Sequence, residues 1–231
     1  MISPNTSHDF LEGQRRELLD LSHVQVAGIT RGPESVECFY DDTLAAPHIV
    51  ELAKKAEEDG FDAVVISCFF DPGLRAAREV LSIPVTSAGE SSLHIACSLG
   101  HRIGIVTTVA NSIPVIHHLV RTLGLQSQVV TVRAASVGVL ELDKSEKTIR
   151  ALLEETTRAI VEDKSDVIVP GCTGMTEVAA ALGQKVLATG YEVPIVDPLR
   201  AAIQWAEMLV NLKLKHSRIG YPKPPAKIRT S

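Results

Sequence analysis

The chain has 231 residues, of which 45% are hydrophobic and 22% charged, and its formal net charge is −5. This composition is typical of a globular protein and excludes a collagen-like, coiled-coil or mainly disordered architecture. An acidic chain with one Trp, three Tyr and five Phe is a poor candidate for nucleic-acid binding, which relies on basic patches and stacked aromatic rings. No apolar run approaches the roughly 18–20 residues of a membrane-spanning helix, so no membrane partner is expected.

The cysteines indicate a reducing compartment. Residues 1–8 contain neither a basic segment nor an apolar core, so no secretory signal is predicted and we expect a cytoplasmic protein with free thiols. The four cysteines, Cys38, Cys68, Cys97 and Cys172, form no Cys-x-x-Cys pair, so zinc-ribbon spacing is absent and no metal site is predicted. Two disulfides are the alternative that an even count leaves open. Cys38 and Cys97 are interpreted as packing residues.

Short β-branched segments alternate with amphipathic segments along the whole chain. The predicted strands are residues 24–29, 63–67, 83–86, 103–107, 129–132, 167–170 and 194–196. Several are apolar at nearly every position, as expected when helices cover both faces of a parallel sheet. Apolar residues recur at helical spacing between them, and the alternation predicts an α/β fold. A further strand is expected before Pro4, where only three residues precede it, so we expect it to be very short or cut off.

A segment of the first half of the chain is repeated in the second half. Residues 58–68 align with residues 162–172 at one constant offset with matching Glu, Asp, Asp and Cys, and residues 83–85 have a counterpart in residues 193–195. The repetition predicts two similar Rossmann-like lobes with parallel sheets, related by a pseudo-twofold axis, with the active site in the cleft between them. We assign residues 1–100 and 198–231 to lobe 1 and residues 101–197 to lobe 2.

The two cysteines of the repeat are the candidate catalytic residues. Cys68 and Cys172 each lie just beyond the carboxyl end of a predicted strand, where open parallel sheets bind ligands, so facing lobes would bring the thiols across the cleft from each other. After Cys68, Asp71 is a suitable N-cap and Pro72 a suitable first helical residue, so we expect the helix to stabilise the thiolate. One thiolate can remove a proton from a carbon acid while the other thiol returns one to the opposite face, which is cofactor-independent racemisation.

Four motifs surround these positions: Ser3-Pro4-Asn5-Thr6-Ser7, Cys68-Phe69-Phe70-Asp71-Pro72-Gly73-Leu74, Pro84-Val85-Thr86-Ser87-Ala88-Gly89-Glu90 and Gly171-Cys172-Thr173-Gly174-Met175. With them the chain resembles, over essentially its whole length, the aspartate/glutamate racemase superfamily, most closely its hydantoin racemase and allantoin racemase branch. The resemblance implies Cys68 and Cys172 as the acid–base pair, no cofactor, and a homo-oligomer, either a dimer or a tetramer. The substrate-binding residues that it implies are Asn5, Thr6, Phe69, Ser87, Gly89, Glu90, Thr107, Thr108, Thr173 and Gly174. Where the branch usually has glycine this chain has Phe70, which is expected to narrow the pocket or change the preferred substituent.

The function favoured by the sequence is racemisation of 5-substituted hydantoins or of a related cyclic ureide such as allantoin. The carbon acid of such a ring is flanked by a carbonyl, so loss of its proton yields an enolate. Alternatives within the superfamily are aspartate or glutamate racemase, maleate isomerase and arylmalonate decarboxylase. The decarboxylase needs only one of the two cysteines, so Cys68 argues against it. A non-catalytic, two-lobed ligand-binding module is the alternative of a different class, and it predicts that both cysteines can be replaced by serine without consequence.

Overall fold

The computed structural model describes residues 1–142 and 145–228, which form seven strands and eight α-helices in an alternating order. The first half contains β1 (Ile2–Ser3), α1 (His8–Glu17), β2 (Ala27–Gly28), α2 (Phe39–Glu58), β3 (Val64–Ile66), α3 (Leu74–Val80), β4 (Val85–Ser87) and α4 (Ala88–Leu99). The second half contains β5 (Ile103–Thr107), α5 (Ser112–Thr122), β6 (Val129–Ala134), α6 (Glu146–Val161), β7 (Val167–Pro170), α7 (Thr176–Ala188) and α8 (Pro198–Asn211). Two short 3-10 turns lie at Val139–Glu141 and Thr173–Met175.

The strands form two parallel sheets with corresponding topologies. The first sheet has the order β2-β1-β3-β4 and the second the order β6-β5-β7. A single parallel bridge joins Ile168 of β7 to Ile195. Ile195 thus lies beside β7 in the second sheet as β4 lies beside β3 in the first. With this bridge the strand orders of the two sheets are equivalent. The predicted α/β fold with two parallel-sheet lobes is confirmed.

Four predicted strands are shorter than expected: residues 63–67 and 83–86 become Val64–Ile66 and Val85–Ser87, and two others lose most of their pairing. The segment 24–29 pairs only at Ala27–Gly28, because its neighbour β1 offers two residues, Ile2 and Ser3, to the ladder. The segment 194–196 contributes the single bridge at Ile195 rather than a strand. The short first strand is nevertheless central, since β1 lies between β2 and β3.

The core forms where helices cover the apolar strands. All residues of β3, β5 and β7 are buried, as expected for strands covered on both faces. Helix α2 buries Ala45, Ile49 and Ala53, which recur every four residues on one face. Helix α8 returns to the first sheet, where Leu199 and Ala202 pack with residues of β3 and α4. The division into lobes at residues 100 and 197 remains a prediction from the sequence. Within the described ranges, no helix is both long and apolar enough to cross a bilayer.

Candidate active site

The loops that follow β3 and β7 carry the two repeated cysteines. Each thiol stands just past the carboxyl end of its strand, with Cys68 after Ile66 and Cys172 after Pro170. Both cysteines line one cavity of about 20 Å³, which we call the thiol cavity. The structure therefore brings the two thiols to a single site lined by residues of both halves of the chain.

The wall of the thiol cavity is uncharged. The described residues that line it, none of them Asp, Glu, Lys, Arg or His, are Pro4, Asn5, Phe10, Val36, Ser67, Cys68, Phe69, Phe70, Thr108, Ser112, Val139, Gly171, Cys172 and Thr173. Sequence reasoning missed Phe10, Val36, Ser112 and Val139. No local pattern marks them, because α1, the loop before α2, α5 and the turn at Val139–Glu141 reach the cavity only through tertiary packing.

Burial dominates the electrostatics of both thiols. It raises the pKa of Cys68 well above its usual range, and the nearby Asp42, Cys172 and Asp71 raise it further. Burial also raises the pKa of Cys172 to about 12. The backbone N–H of Phe70 next to Cys68, and that of Gly174 next to Cys172, act in the opposite direction by stabilising each thiolate. The expectation of a thiolate stabilised at the start of a helix is thus corrected, because loss of hydration outweighs the local dipoles.

Asp71 does not cap the helix that follows Cys68. That helix, α3, begins at Leu74 after Gly73, which adopts a left-handed φ of 70°. The Asp71 carboxylate instead accepts hydrogen bonds of 2.9 Å from the backbone N–H groups of Gly89 and Glu90, at the start of α4. Asp71 therefore anchors the loop of Cys68 to another helix, and burial, followed by the charge of Glu90, raises its pKa to about 7.

Two predicted polar contacts lie at the thiol cavity. Asn5 is 4% exposed, and its Oδ1 is buried without a hydrogen-bond partner in the described part of the chain. Thr108 is 1% exposed and lines the same wall. Phe69 and Thr173 also line it, so four of the predicted substrate-binding residues are at the site. A buried carbonyl oxygen without a donor is costly in a folded protein, so the Asn5 amide leaves an unfilled acceptor at this site.

Three other predicted residues do not line the thiol cavity. Thr6 is exposed, and its hydroxyl donates to the carbonyl of Pro33 at 3.3 Å. Thr107 is buried, and its hydroxyl donates to the carbonyl of Gly171 at 3.4 Å. Gly174 acts through its amide on the Cys172 sulfur. A side chain at this glycine would meet the ring of Phe10 at 2.9 Å.

The segment Ser87–Glu90 packs against the loop that carries Cys68. The Ser87 hydroxyl donates to the carbonyls of Ile66 and Cys68 at 3.2 and 3.3 Å. A Cβ on Gly89 would overlap the Phe69 carbonyl oxygen, so only glycine allows α4 to approach this loop so closely. Glu90 pairs with the buried Arg78 at 2.9 Å. These three predicted residues position the Cys68 loop, and none of them lines the thiol cavity.

The donor groups of the thiol cavity are thiols, hydroxyls and one amide. Among residues 1–142 and 145–228, no three His, Cys, Asp or Glu side chains cluster closely enough to hold a metal ion. The cavity has space for roughly one water molecule, and the groups that line it, among them the two thiols, the Asn5 amide and the Thr108 hydroxyl, are neutral hydrogen-bonding groups.

Comparisons with known proteins identify racemases as relatives of this chain. A family model described as Asp/Glu/Hydantoin racemase matches residues 1–206. A hydantoin racemase from Pseudomonas sp. (strain NS671) is 36% identical over 232 residues, covering 98% of this chain and 91% of the relative. The solved structure of allantoin racemase from Klebsiella pneumoniae has a TM-score of 0.90 and 31% identity, covering 100% of this chain and 94% of that one. The allantoin racemase from Pseudomonas fluorescens has a TM-score of 0.89 and 31% identity, covering 99% and 98%.

Proposed function

The chain belongs to the Asp/Glu/hydantoin racemase family and is an isomerase of the racemase type, and from this premise we propose that it racemises a neutral cyclic ureide without a cofactor. The substrate class is 5-substituted hydantoins, with allantoin as the ureido-substituted member. Cys68 and Cys172 serve as the acid–base pair at ring carbon C5. Relatives with 36% and 31% identity are named for hydantoin and allantoin, which supports this class.

The observation that carries the proposal is the uncharged wall around two thiols. An amino-acid substrate brings an ammonium and a carboxylate, and each needs a charged or strongly polar partner when it leaves water. The described residues of the thiol cavity offer hydroxyls, thiols and one amide, but no charged group. A hydantoin ring is neutral and carries N–H donors, and the unpartnered Oδ1 of Asn5 is an acceptor for one of them. The surroundings of the thiols therefore favour a neutral ring over the charged groups of aspartate or glutamate.

The proposed reaction is a proton relay across the ring. One thiolate accepts the C5 proton and becomes a thiol, and the electron pair moves onto the adjacent carbonyl to give an enolate. The opposite thiol then donates its proton to the other face of C5 and becomes a thiolate. The roles of Cys68 and Cys172 exchange for the other enantiomer, so proton count and charge balance in both directions.

Substrate entry requires movement around the thiol cavity. A cavity of about 20 Å³ holds roughly one water molecule, so it cannot admit a five-membered ring as it stands. We expect the loops that carry Cys68 and Cys172 to move apart on binding.

The test follows optical activity and C5 deuterium exchange of enantiopure allantoin and 5-substituted hydantoins, each corrected for the spontaneous rate. The wild type should lose optical activity, and both Cys68→Ser and Cys172→Ser should stop this loss. Each variant should still exchange the C5 hydrogen of one enantiomer with retention, and the enantiomer should differ between the two, because one base remains on one face. Cys97→Ser, which changes a half-buried thiol of α4, is the control and should behave as wild type.

Undiminished racemisation in either variant of the pair would contradict the two-thiol relay. Racemisation of aspartate or glutamate, with none of the ureides, would contradict the proposed substrate class. The cytoplasmic location, the dimer or tetramer and the lobe boundaries stay predictions that accompany this proposal. Light scattering during gel filtration checks the assembly.

A further inference from the structure

A second cavity adjoins the thiol cavity at Phe70. It has a volume of about 300 Å³, and we call it the side pocket. Its wall is built by α2, α3, α4, α5 and the segment after α8, residues 212–228, which we call the C-terminal arm. The wall includes Asp42, Phe70, Arg78, Glu90, His118 and Tyr221. Phe70 lines both cavities. Its half-buried side chain therefore stands between the small space that holds the sulfur atoms and the larger one beside it.

Asp42 is the carboxylate of this wall whose hydrogen bonding is incomplete. Its Oδ1 is buried and has no hydrogen-bond partner among the residues that the structure describes. The other carboxylates of the wall have partners, since Asp71 accepts two backbone N–H groups and Glu90 pairs with Arg78. Burial raises the pKa of Asp42 to about 6, so it is mostly ionised at neutral pH. A buried carboxylate oxygen without a donor calls for one from a ligand.

The side pocket also lies close to the reacting sulfur. The charges of Asp42 and Asp71, both in its wall, raise the pKa of Cys68, and the Phe70 backbone N–H lowers it. A substrate whose C5 stands between the two thiols must place its 5-substituent somewhere, and the thiol cavity of about 20 Å³ has no space for it. The side pocket is the adjoining space that is large enough.

We propose, on the basis of the function proposed above, that the side pocket receives the 5-substituent, that Phe70 controls passage into it, and that Asp42 selects substituents that donate a hydrogen bond. Movement of the Phe70 side chain joins the two cavities into one L-shaped site. A ureido group, whose N–H groups reach the Asp42 carboxylate once Phe70 has moved, is then preferred to an alkyl group of the same size.

The proposal that Phe70 limits the size of the 5-substituent is tested with Phe70→Ala and Phe70→Trp. Rates of C5–H exchange in D₂O are compared for unsubstituted hydantoin, 5-isobutylhydantoin and 5-benzylhydantoin. Phe70→Ala should raise the rate for the benzyl compound relative to hydantoin, and Phe70→Trp should lower it, each by roughly tenfold, as is typical of pocket discrimination. Ratios that stay unchanged in both variants overturn the role of Phe70. If only one variant folds, its predicted direction still decides the question.

The role of Asp42 is tested with a matched pair of substrates. Allantoin and 5-isobutylhydantoin carry substituents with the same number of heavy atoms, but only the ureido group donates hydrogen bonds. Asp42→Leu, which keeps the side-chain shape, should lower the ratio of kcat/KM for allantoin over 5-isobutylhydantoin by at least about tenfold. Because the ratio is taken within one variant, any change in the Cys68 pKa cancels. An unchanged ratio overturns the assignment.

Unsubstituted hydantoin separates this inference from the proposed function. Its exchange depends on the thiols and the ring contacts alone. Loss of exchange at one of its two C5 hydrogens in each of Cys68→Ser and Cys172→Ser, together with unchanged substituent ratios in the Phe70 and Asp42 variants, would leave the racemase and overturn the side pocket. If the wild type exchanges neither hydantoin nor any substituted ring, the proposed function itself fails.

Discussion

The Thr173 hydroxyl donates a hydrogen bond of 3.2 Å to the carbonyl oxygen of Ser67, and both residues are buried. Ser67 precedes Cys68 and Thr173 follows Cys172, so this bond joins the two loops that carry the thiols. The proposed racemisation requires both sulfur atoms to reach the same carbon from opposite faces. A bond at this point limits how far the two loops separate, and it links the geometry of one thiol to that of the other.

Removing this bond should impair catalysis more than binding. Thr173→Val keeps the size of the side chain but leaves the Ser67 carbonyl without its donor, which costs about 1–3 kcal/mol of stability. We expect kcat to fall by about tenfold to a hundredfold with a smaller change in KM, since small displacements of reacting groups are costly. Thr189→Val is the matched control, because it removes a hydroxyl bond to the Val186 carbonyl after α7. Equal kcat values for the two variants would contradict this role.

The Asn5 amide should contribute directly to substrate affinity. Asn5→Ala removes the unpartnered Oδ1, and we expect kcat/KM to fall by about tenfold through loss of one hydrogen bond to the ring. Thr6→Ala changes the next residue, which is exposed and bonds to Pro33 instead. Steady-state kinetics on the two variants compares them directly. A larger loss in Thr6→Ala than in Asn5→Ala would show that the substrate binds elsewhere in this loop.

Activity should increase with pH well into the alkaline range. Burial raises the pKa of both thiols, that of Cys172 to about 12, so only a small fraction of either is a thiolate at neutral pH. A thiol must lose its proton to act as the base, so kcat/KM should rise about tenfold per pH unit between about pH 7 and about pH 10. The measurement is the initial rate of racemisation minus the spontaneous rate at each pH. A plateau below about pH 8 would mean that the thiolate is stabilised far more than burial permits.

A side chain at the close contact between α4 and the Cys68 loop should lower the free energy of unfolding. Gly89→Ala places a methyl group against the Phe69 carbonyl oxygen and should lower the free energy of unfolding by about 1–3 kcal/mol. Gly13→Ala in α1 meets only Arg16 at 3.9 Å, and it should leave stability unchanged or raise it by up to about 1 kcal/mol, because alanine favours helix. Urea unfolding of both variants gives the comparison. Equal effects would mean that α4 shifts without cost.

Docking of the C-terminal arm should depend on a neutral His216. Its Nε2 accepts the Val85 N–H at 2.8 Å, and burial, aided by the charge of Arg78, lowers the pKa of His216 from 6.5 to about 4. The folded state thus disfavours the protonated ring, so this contribution to stability is complete above about pH 6.5 and is lost as the pH falls toward 4. The protection factor of the Val85 amide, which is corrected for the intrinsic pH dependence of hydrogen exchange, should therefore fall over that range. His216→Gln offers a non-titrating acceptor and should remove this pH dependence. The same loss of protection in His216→Gln would assign it to another group.

Local patterns predicted the architecture because the spacing of apolar residues within a short segment already distinguishes a strand from a helix. The runs at residues 103–107 and 167–170 became β5 and β7 with those bounds. The constant offset between Cys68 and Cys172 placed both thiols after equivalent strands, and parallel sheets bring such ends to one edge. Local rules failed for Asp71, where Asp-Pro is a good start for a helix in isolation. The carboxylate instead binds the N–H groups of Gly89 and Glu90, because packing brought α4 within reach.

The sequence by itself determined the α/β fold, the two-lobed repeat and the pair of cysteines that share a site, since each depends on spacing along the chain. The tertiary structure alone decided the environment of that pair. Residues far apart in the chain, such as Phe10, Val36 and Val139, enclose the thiols, and their packing removes the water that would have stabilised a thiolate. The pKa of a buried group depends on everything around it. For the same reason, only the folded chain shows that Phe70 stands between two cavities and that Asp42 lines the larger one while its Oδ1 is buried.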